Sequence, residues 1–362
     1  MRILATADWH IQRPLQARGK DTLRAVDSII NYAAEYRPDV VLLGGDIHHS
    51  RTPSMTEQRA SASRLKNLSK IAPTFVALGN HDISRNFNAL DPAIEFRIEN
   101  LFIPRSPKIY VIPDASIMVV PWMFPESLRI ESSRSLSKAQ KSSRIAKLVS
   151  EIVHFAISKA DPNRPKILLA HATAFGAKFG QNRDTVLGSD PLWQAGVWKP
   201  FDLTVFGHIH KHQIVSIDPP VIYPGSPERT DFGARDEEKG FYTWETGQVP
   251  IFHMLESRPM VKLEGSIREV FDQIANAPDG AMLKGEVTLQ QDETWPDVDI
   301  KRFFSFQLTE KRPRIVREKY KGIDAHKLTP PEVLKAYLDS TGKSKEEVAQ
   351  LMGAFERLVE GD

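Results

Sequence analysis

Seven side chains able to bind a divalent cation fall in five short clusters of this sequence. They are Asp8 and His10 in Asp-Trp-His, Asp46 in Gly-Asp-Ile-His-His, Asn80 in Gly-Asn-His-Asp, His171, and His208 and His210 in Gly-His-Ile-His. Carboxylate, amide oxygen and imidazole make a mixed oxygen–nitrogen donor set. Such a set suits manganese, iron, zinc or cobalt better than calcium or magnesium, which favour all-oxygen surroundings. The chain has no cysteine, so thiolate nucleophiles, disulfides, iron–sulfur clusters and cysteine-based zinc sites are excluded. The donors suffice for two ions that share one carboxylate. Two ions ~3.5–4 Å apart can clamp a phosphate and acidify a water, which is the chemistry of phosphoester hydrolysis.

These clusters must be brought together by the elements that precede them, and each follows an apolar run. The runs RILATA (2–7), DVVLLGG (39–45), TFVALG (74–79), KILLAHA (166–172) and LTVFG (203–207) read as buried strands. SIMVVPW (116–122) and PVIYPG (220–225) read the same way. Helical patterns fall between them near 21–36, 55–70, 88–100 and 139–159, with Leu90, Ile94 and Ile98 at helical spacing in the third. This alternation predicts an α/β domain, and in open α/β sheets ligands gather beyond the carboxyl ends of strands. A lone Asp-x-His or one buried histidine is usually structural. A specified tetrapeptide such as GNHD arises by chance about once in 10^5 positions, and the ordered set after five strands is far rarer.

With 362 residues, 41% of them hydrophobic and 26% charged, the chain can build a large domain and one or two small ones. A net charge of +2 means that any polyanion must be held by a local patch. No stretch is long and apolar enough to span a bilayer. The opening MRILATAD begins a strand at once, with no basic segment ahead of a long apolar one, so a soluble protein of the cytoplasm is expected, nucleoid-associated if bacterial or phage. The texture changes near Leu255. Residues 257–322 read as a small α+β module, and 323–362 as two short helices broken near Thr341–Gly342, leaving 1–256 as the main domain.

The ordered set resembles the signature of the calcineurin-like metallophosphoesterase superfamily. Within it the chain resembles SbcD-type double-strand-break repair nucleases, relatives of the meiotic-recombination nuclease. GDIHHSRTPS (45–54), GHIHKHQ (207–213), YPGSPERTDFG (223–233) and Lys239-Gly240-Phe241 carry the narrower likeness. Ala234 departs from it, standing where the family often has an acidic residue. The resemblance implies a four-layer fold, with two mixed β-sheets flanked by helices, a small α+β capping domain and C-terminal helices. It implies two divalent ions, manganese first among the candidates. Asp8, His10, Asp46 and His210 would hold one, and Asp46, Asn80, His171 and His208 the other. His81 would serve the scissile phosphate, His49 (beside His48) would orient DNA or His81, and Asp82 would hold His81.

The expected activity is a manganese-dependent DNA nuclease, exonucleolytic 3′-to-5′ on duplexes and endonucleolytic on single strands or hairpins, within an SbcCD-type repair and recombination complex. The alternatives are a phosphoesterase for a phosphoprotein or cyclic nucleotide, and a non-catalytic platform for DNA or an ATPase. Arg13, Arg18, Lys20, Arg51, Arg85, Lys178, Arg183 and Lys211 are candidates for phosphate contacts or for an ordinary solvated surface. The run 301–322 interleaves Lys and Arg with Phe and Tyr, either as a DNA-facing edge of the capping domain or as core with a wet face. By the same resemblance the helices near 55–70 and 88–100, with Leu65 and Leu68 in the first, would form a homodimer interface or belong to the monomer core. The last two helices would grip the coiled coil of an SbcC-type ABC ATPase or pack back on this chain. No Gly-x-x-x-x-Gly-Lys-Ser/Thr loop is present, so ATP use would come from that partner.

Overall fold

Ile3 and Ala5 point to one side of the first strand and Leu4 to the other, yet all three are buried. A strand covered on both faces needs a layer on each side. The computed structural model, which describes residues 1–12, 18–83, 98–123, 136–180, 190–290, 293–312 and 328–360, supplies them. The elements of the main domain run β1 (Arg2–Thr6), α1 (Gly19–Tyr36), β2 (Val40–Leu43), α2 (Met55–Ile71), β3 (Thr74–Val76), β4 (Leu101–Phe102), β5 (Lys108–Ile112), β6 (Ala115–Val120) and α3 (Lys138–Ile157). There follow β7 (Lys166–His171), β8 (Thr173–Ala174), β9 (Leu192–Trp193), β10 (Leu203–Gly207), β11 (Gln213–Ile217), β12 (Pro220–Tyr223), β13 (Lys239–Glu245) and β14 (Ile251–Leu255).

Two six-stranded mixed sheets form, in the orders β14-β13-β1-β2-β3-β4 and β11-β12-β10-β7-β6-β5. Strands β1 to β4 pair in parallel, as do β6, β7, β10 and β12, while β13, β14, β5 and β11 run antiparallel to their neighbours. Ile3, Ala5, Val40, Leu42 and Phe75 of the first sheet pack against Ile117, Val119, Ile167, Leu169 and Val205 of the second. On the outer face of the first sheet Leu4, Val41 and Leu43 meet Val26, Ile29 and Ala33 of α1 and Leu65 and Leu68 of α2. On that of the second, Leu168, Ala170 and Phe206 meet Ile145, Val149 and Val153 of α3. The result is helix, sheet, sheet, helix, as expected.

Helix α2 starts where Ser54 accepts from the Glu57 amide and the Glu57 carboxylate returns to the Ser54 amide, two otherwise unpaired donors satisfied at once. Leu65 and Leu68 lie in the intramolecular core. Leu90 and Ile94 of the expected third helix, together with Arg13, Arg85, Arg183 and residues 313–322, lie outside the described residues.

After β14 come β15 (Met260–Ser266), α4 (Ile267–Asn276), β16 (Met282–Thr288) and β17 (Ser305–Lys311), with the three strands in that order in one sheet. Helices α5 (Pro330–Ser340) and α6 (Lys345–Glu360) pack on each other, with Leu338 and Val348 buried. Gly342, at φ 73°, makes the break between them. The chain divides into two compact units, Met1–Glu286 with Asp297–Thr309, and Val287–Pro296 with Glu310–Asp362. No helix among the described residues is long and apolar enough to cross a membrane.

Candidate metal centre

The five clusters all follow carboxyl ends of parallel strands: β1 for Asp8 and His10, β2 for Asp46, β3 for Asn80, β7 for His171, and β10 for His208 and His210. The loop after β1 runs beside the loop after β2, with the Asp8 amide donating to Gly45 O at 2.9 Å and the His10 amide to Asp46 O at 2.9 Å. Asp8 and His10 face the cluster, and Trp9 between them is buried against the helix side. Asp8, His10 and Asp46 sit in the left-handed region at φ 50°, 48° and 48°, and His208 at φ 102°. Such backbone is costly for residues with a Cβ and tends to persist where function requires it. Gly79 has no such choice: a Cβ there would collide with the carboxylate and amide of Asp46.

Asp46 Oδ1 accepts from the His81 amide at 2.9 Å, which fixes the carboxylate. Its Oδ2 is left 3.6 Å from His10 Nε2 and 3.7 Å from His171 Nε2. His171 Nδ1 donates to the Gly44 carbonyl at 2.6 Å, and a carbonyl can only accept. The neutral ring therefore carries its lone pair on Nε2, which faces Asn80 Oδ1 at 3.1 Å. His208 Nδ1 approaches the same oxygen at 3.2 Å. On the other side His10 Nε2 and His210 Nε2 face each other at 2.8 Å, while His210 Nδ1 lies 3.1 Å from Thr230 Oγ1. The Asp8 carboxylate accepts from the His208 amide at 2.9 and 3.1 Å.

Asp8, His10 and Asp46 each offer a ligand atom, all within 4.8 Å of one another. Burial, with Asp46 nearby, pushes the Asp8 carboxyl well above its usual range. Burial, with His210 adding to it, pushes His10 well below. Burial also lowers His171 to about 4. Lone pairs of buried carboxylates and imidazoles converge here. Donor atoms ~2.0–2.2 Å from a common divalent ion lie about 3 Å apart, so the separations fit bound cations.

His81 is part-buried beside His10, with ring centroids 5.1 Å apart. Its Nδ1 donates to the His49 carbonyl at 2.7 Å. Of the two adjacent histidines, His49 lies near the cluster, 5.6 Å from the His10 ring. His48 is fully buried against Ser61 at 2.9 Å, and burial lowers it to about 4. Asp82 departs from the expectation that it holds His81. It instead accepts from the amides of Gly79 and Ile47 at 2.9 Å and of His48 at 3.3 Å, tying the β2 and β3 loops together. Burial, with Asp46 adding to it, raises Asp82 to about 8. Arg18, a candidate phosphate contact, is buried and paired with Glu228 at 3.2 Å, whereas Lys20, Arg51 and Lys211 are exposed. Sequence reading misses Asp190, 3.2 Å from His208 Nε2, and Trp122, whose ring lies 4.9 Å from that of His208. Neither stands in a cluster of ligand-type residues, so only tertiary contact reveals them. Thr230 lies within the PGSPERT run, where its residue type gives no sign of the contact with His210.

The sequence pattern of calcineurin-like phosphoesterases matches residues 1–212, more than half of the chain. The chain belongs to that family. Its members hydrolyse phosphoesters with divalent metal, the chemistry that these donors suit. The phosphoesterase is also similar to the SbcD component of the nuclease SbcCD from Escherichia coli K12, 24% identical over 320 residues, which cover 83% of this chain and 78% of that protein. The same component from Escherichia coli O157:H7 matches to the same extent. A solved structure of a dimetal phosphatase from Danio rerio aligns with 70% of the phosphoesterase and 95% of its own chain at 10% identity. The TM-score of that alignment is 0.40.

Proposed function

We propose that this phosphoesterase is a manganese-dependent DNA nuclease of an SbcCD-type repair complex, cutting duplex ends 3′-to-5′ and single strands or hairpins internally. The observation that carries the reading is the placing of Asp46 Oδ2 between two groups of inward-facing donors. In this reading Asp8, His10, Asp46 and His210 hold one ion, Asp46, Asn80, His171 and His208 the other, and Asp46 is shared. Bound there, two divalent cations would polarise the phosphate and supply a water acidic enough to attack it.

The chain's own groups do the rest. As the oxygen–phosphorus bond to the leaving group breaks, the departing oxygen needs a proton. His81 keeps Nδ1–H on the His49 carbonyl in either protonation state, so its Nε2 is the atom that delivers that proton. Asp82 takes no part in proton transfer; it fixes the loops that carry Asp46 and Asn80. Exposed Lys20, Arg51 and Lys211 are offered to the phosphate backbone. A homodimer and an ABC ATPase gripped by α5 and α6 complete the proposal. Similarity to the SbcCD nuclease component favours DNA over other phosphoesters.

The test is a substrate panel: end-labelled duplex, hairpin DNA, a phosphoprotein and an aryl phosphodiester, each with manganese, magnesium or zinc. Cleavage of both DNA substrates, strongest with manganese, is expected. Turnover of phosphoprotein with intact DNA would reverse the assignment of substrate while keeping the metal site.

A further inference from the structure

Resting on the two-metal reading above, we propose that Asp190 is a positioning residue that sets which nitrogen of His208 is presented to a cation. His208 Nε2 lies 3.2 Å from Asp190 Oδ2. A carboxylate accepts, so the neutral imidazole places its proton on Nε2 and its lone pair on Nδ1. Nδ1 is the atom that faces Asn80 Oδ1 at 3.2 Å. With the opposite tautomer, Nδ1–H would point at Asn80 and no lone pair would be available there.

Three further contacts make this arrangement stiff. The His208 amide is held by both oxygens of Asp8, which fixes the backbone at φ 102°. Trp122 lies against the ring at 4.9 Å between centroids, with interplanar angle 36°. Asp190 is itself anchored, its carbonyl accepting from Ser142 Oγ of α3 at 2.5 Å. The side chains of His208 and Asp190 are about as shielded as each other, 14% and 15% exposed, so the pair is not an ordinary solvated ion pair.

His171 reaches the same end by another route. There a backbone carbonyl, Gly44 O, fixes the proton on Nδ1 and frees Nε2. The two imidazoles thus present different nitrogens to one amide oxygen, each directed by its own acceptor. Backbone cannot be substituted, so Asp190 is the point where this device can be tested.

The experiment is calorimetric titration of the metal-free protein with manganese, with the melting temperature as control. In Asp190→Ala, one manganese-binding step weakens ~10–100-fold, the range typical of partners that orient a ligand imidazole. The other step stays within about twofold, and the melting temperature is unchanged. Asp190→Asn retains an acceptor oxygen and restores most of the affinity. Two unchanged steps in Asp190→Ala overturn the proposal. So does equal weakening of both steps with a lowered melting temperature in both variants, since the role is then purely structural. A wild-type protein that binds one manganese or none refutes the two-metal reading instead.

Discussion

A neutral imidazole offers a lone pair from one nitrogen only, so which atom each histidine presents is decided by what holds the other. Gly44 O decides this for His171 and the His49 carbonyl for His81. At His81 the readout is catalytic. His81→Ala should leave manganese and DNA binding intact and lower cleavage ~10²–10⁴-fold, checked by single-turnover assay beside calorimetry. Unchanged cleavage would remove His81 from the proton transfer. At Asp46 the readout is composition. Asp46→Ala removes the oxygen between the two donor groups, so metal analysis should find both ions lost, and full occupancy would refute a shared carboxylate.

At the scale of elements, the site exists because two sheets approach closely at one end. A Cβ on Gly207 at the end of β10 would overlap the Gly44 carbonyl after β2, so both sheets depend on glycine there. Gly79→Ala drives a methyl into the Asp46 carboxylate. It should weaken manganese binding at least tenfold by titration, an order-of-magnitude loss typical of disturbed ligand support, while far-ultraviolet circular dichroism stays native. Strand β13 contributes Lys239, whose fully buried ammonium donates to His210 O at 2.9 Å and Glu237 at 2.8 Å. Burial pushes its pKa down, opposed by Glu237. Lys239→Ala strands Glu237 and the His210 carbonyl. A loss of about 3–5 kcal/mol is expected from urea unfolding, as for other buried pairs cut on one side. A change below about 1 kcal/mol, the scale of a surface pair, would show that the pair adds little.

At the scale of the molecule, folding buries carboxylates and imidazoles together, and that burial, reinforced by Asp46 at Asp8 and by His210 at His10, displaces Asp8 upward and His10 downward. Cations that bind only the folded chain must therefore stabilise it. At a concentration 100-fold above Kd the gain is about 2.7 kcal/mol for each independent site. Chelation should lower the melting temperature, and manganese should restore it. Equal melting curves with and without chelator would argue against any occupied site. Elsewhere in the same unit, Arg258 ties the connection between β14 and β15 to α1 through two bonds to Asp21, at 2.6 and 2.7 Å, while its guanidinium lies 3.8 Å over Phe304. That bidentate geometry is more rigid than an exposed lysine pair could supply.

The sequence by itself determined the strands that carry the clusters, because runs such as VVLL and KILLA are apolar on both faces and can only be buried, but not the antiparallel strands β5, β11, β13 and β14. It also marked the clusters behind them, because Asp, Asn and His at strand ends serve no packing purpose. Helix α2 was legible as a helix near 55–70 and the break near Thr341–Gly342 likewise, while the Ser54–Glu57 exchange that starts α2 came from the structure. Tertiary structure alone decided which histidine of the pair 48–49 faces the cluster, since neighbours in sequence point to opposite environments. It also gave Asp82 its partners, because backbone amides leave no trace in residue types. Asp190 could not be found from sequence, since it meets His208 only where α3 and β10 come together.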